Sequence, residues 1–129
     1  MSLKKEEIAG VFRAILNDQG IVEISWDDSL KMIEPEHLAT LQEAIKKLGN
    51  GKRMPLYFTT NPFLGVSEEA QVYATTLEGT TYSLAIAVFM ADLATKIDYN
   101  VFIKKNTPVV PTQAFNSKEE AFDWLVGFL

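Results

Sequence analysis

The segment YSLAIAVF, Tyr82 to Phe89, is apolar at nearly every position. An alternating strand would bury one face and wet the other. A strand with apolar residues on both faces is expected at the centre of a sheet covered by helices on each side. Ala85 and Ala87 fall on one of those faces, where their small side chains would let a helix approach closely. A chain carrying such a strand must supply helices for both faces, which restricts it to layered α/β architectures.

The rest of the sequence supplies them. VFRAIL (Val11 to Leu16) and IVEISW (Ile21 to Trp26) read as the two strands of a hairpin closed by NDQG. Gly20 there can take the positive φ that such a turn needs. A helix is predicted from about Glu34 to Leu48, with Pro35 at its first position, where a missing N–H costs nothing. Leu38, Leu41, Ala44, Ile45 and Leu48 recur on one face at helical spacing, and Gly49 and Gly51 stop the helix. MPLYFT (Met54 to Thr59) reads as a buried strand, and Ser67 to about Leu77 as a second helix with Ala70, Tyr73, Ala74 and Leu77 inward. After the central strand, an amphipathic stretch from about Ala91 to Ile103 places Leu93, Ala94, Ile97 and Val101 in register. Pro108 and Pro111 bracket the entry to a short strand, TQAF. Proline cannot donate to an interior ladder, so an edge strand is expected there. Ser117 and Glu120 form an S-x-x-E capping box ahead of the apolar AFDWLVGFL. The expectation is a single α/β domain over residues 1–129, with a mixed sheet opened by a hairpin and about four helices packed on it.

Composition excludes several function classes. The chain has 129 residues and a net charge of −5, so phosphate backbones and anionic membrane surfaces are poor default partners. It has no cysteine, which removes thiol catalysis and thiolate metal sites and fits a reducing compartment. Its longest apolar run, Leu84 to Ala91, is well short of the ~20 residues that span a bilayer. The stretch MSLKKEEIAG has no apolar core of a secretory signal. These features point to a cytoplasmic protein with neither a nucleic-acid partner nor membrane insertion.

Motifs of catalysis are scarce. His37 is the only histidine, in the first turn of the first predicted helix and off its apolar face, and it reads as a solvent-facing residue. The acidic pairs Glu34–Glu36, Glu68–Glu69 and Glu119–Glu120 all fall in first helical turns, where the helix dipole favours them. Asp27–Asp28 follows a strand in a turn. LGNGKR contains G-x-G but runs from helix to strand, the reverse of a nucleotide-binding loop. No nucleophile–base pair, metal cluster or cofactor loop is present, so neither a catalytic residue, a metal ligand nor a cofactor is assigned.

The segments VSEEAQVYATTLEG, YSLAIAVFMADLATKI and NTPVVPTQAFNSKEEAFDWL, in that order, resemble small bacterial proteins with the STAS/SpoIIAA-like fold. The closing signature carries most of it: proline, a short strand ending in Phe115, then a capped helix with Ala121, Trp124 and Leu125. In the sporulation-type anti-anti-sigma relatives, a serine at the start of a helix after a central strand is phosphorylated to control partner binding. The resemblance thus makes Ser67 a candidate switch, although Thr59, Thr60 and Asn61 stand where those relatives have an aspartate, and Glu68 stands where they have glycine. The residues themselves make Ser67 an N-cap, worth ~1 kcal/mol. A related fold also hosts lipid-binding CRAL-TRIO domains.

Two functions are therefore expected. The leading one is a non-enzymatic regulatory module that binds an unknown protein partner or forms a homodimer. Its surface would lie around Asn61, Phe63, Leu64 and Ser67 and the 91–103 helix. The alternative is a binder of a small apolar or lipid-like ligand, in a pocket under that helix lined by Phe63, Leu93, Ile97 and Phe102.

Overall fold

The computed structural model describes residues 5–59 and 64–129. A six-stranded sheet forms its centre. Strands β1 (Lys5–Ala9), β2 (Phe12–Leu16) and β3 (Val22–Trp26) form an antiparallel meander. The short β4 (Met32–Ile33) leads into helix α1 (Pro35–Leu48), then β5 (Met54–Phe58), short β6 (Gly65–Val66) and α2 (Glu68–Tyr73). Strand β7 (Ser83–Phe89), helix α3 (Leu93–Lys105), strand β8 (Thr112–Phe115) and helix α4 (Lys118–Val126) complete the order. In space the strands run β1-β2-β3-β5-β7-β8, parallel from β3 onward, while β4 and β6 form a separate two-stranded parallel pair. The expected mixed α/β sheet with helices on both faces is present.

The sheet begins one strand earlier than the hairpin predicts. β1 is charged, as edge strands that resist sheet-to-sheet pairing tend to be; Glu6 is bonded to Arg13 of β2. The β2–β3 turn is as expected, with Gly20 at φ +88° and the Asn17 side chain accepting from the N–H groups of Gln19 and Ile21.

Alternation along β7 divides the core. Ala85 and Ala87 are fully buried against Tyr57, Phe115, Ala121 and Leu125, so α4 packs closely on this face. The Phe122 ring meets Tyr57 edge-on at 5.0 Å between centroids. The opposite face carries α1 and α2 over Ile24, Leu56 and Ile86. There the buried Gln42 ties α1 to the start of β7: its Nε2 donates to Ser83 Oγ at 3.1 Å, and its Oε1 accepts from the Tyr82 N–H at 2.8 Å.

Helix α2 stops well short of the predicted Leu77. The hydroxyls of Thr75 and Thr76 donate back to the carbonyls of Val72 and Tyr73, each at 2.7 Å, and compete with the continuing helical ladder. A turn and a short 3₁₀ segment (Glu78–Thr80) follow, and Leu77 faces solvent instead of the core. Gly79 is required in this bend: a Cβ there would lie 2.0 Å from the Tyr73 carbonyl oxygen.

Candidate functional site

On the α1 face, α1 and α2 leave the β7 half of the sheet incompletely covered. Helix α3 lies along this gap and meets the sheet chiefly at β8, where Asn100 Oδ1 accepts the Ala114 N–H at 3.3 Å. No residue of α3 is fully buried. The helix stands off from the sheet, and beneath it is a cavity of about 410 Å³. Such a volume is within the roughly 300–1,000 Å³ of small-molecule sites.

The floor of the cavity is the sheet, through Trp26, Phe58, Ile86, Val88 and Met90. Leu38 and Leu41 of α1 close one side, and Tyr99, Phe102 and Ile103 of α3 form the roof. Trp26 and Phe58 stack with ring centroids 6.2 Å apart, which gives the floor a flat aromatic section. Val66, Thr95 and Asp98 line the cavity while remaining exposed, and so mark its mouth.

Most polar groups in this lining are already engaged. Beside Gln42, the Thr59 hydroxyl donates to the Ile24 carbonyl, Gln71 Nε2 to Val66, Thr75 to Val72, and Thr112 to Val110. Thr95 donates to the carboxylate of Asp92, the N-cap of α3, at 2.8 Å. The Tyr99 hydroxyl makes no hydrogen bond to another described residue, and burial pushes its pKa up to about 12. The described lining contains no Lys, Arg or His, and Asp98 is its only carboxylate.

The residues singled out in the sequence separate into distinct places. Leu64 and Phe102 line the cavity. Leu93 and Ile97 do not: with Val101 they form a stripe on the outer face of α3, at 57%, 53% and 46% exposure. The expected one-sided amphipathic helix is not found: apolar residues lie on both sides of α3, with Tyr99, Phe102 and Ile103 toward the sheet and the Leu93, Ile97 and Val101 stripe toward solvent. Asn61 and Phe63 lie outside the described residues. Ser67 is the N-cap of α2, its Oγ accepting from the Ala70 N–H at 3.1 Å, while its own N–H donates to the Ile33 carbonyl.

His37 is a structural residue: its Nδ1 accepts the Glu34 N–H at 2.9 Å and closes the start of α1. Tyr99 and Gln42 were not legible as site residues, since each is a single polar position whose surroundings come from other elements. Among the described residues, no group of three or more His, Asp or Glu is placed to hold a metal ion, and no helix is long and apolar enough to cross a membrane.

Comparison with known proteins places the fold. An uncharacterized protein of the DUF3478 family from Shewanella loihica PV-4, with a SpoIIAA-like fold, superposes with a TM-score of 0.59 at 12% identity, covering 95% of this chain and 92% of its own. At that identity the likeness is one of fold. No curated protein matches the sequence. A domain family of unknown function, DUF7793, matches over residues 15–129, and the chain belongs to that family.

Proposed function

We propose that this domain is a non-enzymatic cytoplasmic module that binds a small apolar ligand between its sheet and helix α3. The observation that carries the reading is the cavity itself: about 410 Å³, floored by aromatic and aliphatic side chains and roofed by a helix with no fully buried residue. A concave, predominantly apolar cleft of this size, open at one side, is the usual form of a small-molecule site, so its shape and lining favour an occupant. Polar groups engaged with the protein's own backbone favour holding a ligand over transforming one.

Native mass spectrometry of protein purified from its own cells tests this. The expected result is an added mass that disappears on denaturation, together with uptake of the neutral dye Nile red by stripped protein. A bare mass in both conditions, with no dye uptake, would overturn the reading.

A second reading, a protein-interaction surface or homodimer contact, is favoured by the outward stripe of Leu93, Ile97 and Val101. Sedimentation of the wild type and Ile97→Glu separates the two. Association lost in the variant with dye uptake intact would show that stripe acting on its own. A monomer throughout would reject self-association.

A further inference from the structure

Resting on the pocket reading above, we infer that the ligand is an uncharged apolar molecule bearing one hydrogen-bond-accepting oxygen, such as a ketone or ester, held by the Tyr99 hydroxyl. The lining gives the reason. Its other buried or bridging polar groups are committed to protein partners, so they offer a ligand little direction. Tyr99 is partly buried on the roof, and its O–H has no described partner. With its pKa raised to about 12, the group stays protonated and acts as a donor. A neutral acceptor oxygen on the ligand satisfies it.

The same lining argues against a free fatty acid. A carboxylate entering the cavity meets no described cation, and the charge at the mouth is that of Asp98. Taking an unpaired carboxylate out of water is strongly unfavourable. An amine would find its counter-charge at the exposed Asp98, in water, and would leave the Tyr99 hydroxyl unused.

The test is displacement of Nile red from the full chain by three probes of equal length: methyl octyl ketone, decanoate and decylamine. The ketone is expected to displace the dye at ~10-fold lower concentration than either charged probe. Tyr99→Phe is expected to weaken the ketone roughly 5- to 10-fold, the scale of one net hydrogen bond, with the dye's own affinity measured separately for the variant and the unfolding midpoint nearly unchanged. Decanoate or decylamine binding as tightly as the ketone, or Tyr99→Phe leaving ketone affinity intact, would overturn this inference while the pocket reading stands. Failure of the dye and of every probe to bind would overturn the pocket reading itself.

Discussion

Adjacent residues of β7 should respond oppositely to enlargement. Ala87 has no exposed surface and lies in the cluster with Tyr57, Ala121 and Leu125 under α4. Val88, the next residue, points to the other face and lines the cavity beneath α3. Ala87→Leu forces extra carbons into a filled space. Overpacking of this kind costs ~1–3 kcal/mol, and for a chain of this length that is roughly 4–12 °C in Tm. Val88→Phe adds a ring where about 410 Å³ stands open. Each added methylene-sized group that leaves water there contributes up to ~0.8 kcal/mol, an upper figure because the unfolded chain already buries part of it. The expected change is between zero and a gain of ~2 kcal/mol. Urea unfolding followed by circular dichroism measures both, and unchanged m values confirm that the comparison is of stability alone. Val88→Phe should also reduce Nile red uptake. A loss in Val88→Phe as large as that in Ala87→Leu would refute the reasoning, since it would mean that α3 closes onto the sheet and the space is filled.

Other perturbations test the supports of the site. Ser67→Ala removes the acceptor for the Ala70 N–H and should lower stability by ~1 kcal/mol in urea unfolding, whereas Ser67→Asp should retain most of it. Gln42→Leu deprives the Tyr82 N–H and Ser83 Oγ of their partner in a buried setting, for an expected loss of ~1–3 kcal/mol by the same assay. Asp92 has its carboxyl pKa held below the ordinary 3.8, first by the Thr95 hydroxyl and then by the Thr95 N–H. A depressed folded pKa gives support that is present above the ordinary value and lost as pH falls through the folded one. Protection factors of the first-turn amides of α3, corrected for the slower intrinsic exchange in acid, should therefore fall below about pH 3.8, ahead of those of the α1 amides.

The elements with strong local signals were readable in the sequence. The Pro35 helix start, the Gly20 turn and the Ser117 cap each rest on contacts within a few residues, and the two-faced apolar strand is marked by the pattern of its own side chains. Ser117 Oγ accepts from the Glu120 N–H at 3.3 Å, the serine half of the expected box, while the Glu120 side chain returns no bond to the Ser117 N–H. The positions that misled were decided elsewhere. Whether a threonine hydroxyl bonds back to its own helix depends on the path of the bend after it, so sequence spacing overextends α2. On α3, apolar residues occur all around the helix, and the stripe at i, i+4 and i+8 is the more regular one. Only the sheet position determines that Tyr99, Phe102 and Ile103 face inward. The sequence leaves a pocket under this helix open, and it cannot tell a pocket-lining from an outward place for Leu93 and Ile97, because a stripe does not reveal which side its neighbour occupies; the structure puts both on the outward face.

The bond between Asn100 and β8 has a consequence for assembly. β8 is the last strand of the sheet, and its outward Ala114 N–H is covered only by a side chain of the helix that roofs the cavity. Any displacement of α3 that widens the mouth for a ligand also uncovers a backbone donor on a free strand edge. Pro108 and Pro111 shield only the approach to that strand. If the pocket takes a ligand as proposed, loading and unloading would be coupled to a moment of exposure to strand addition, in which another chain could extend the sheet. An occupant that kept α3 seated would then also keep that edge covered against self-templated aggregation.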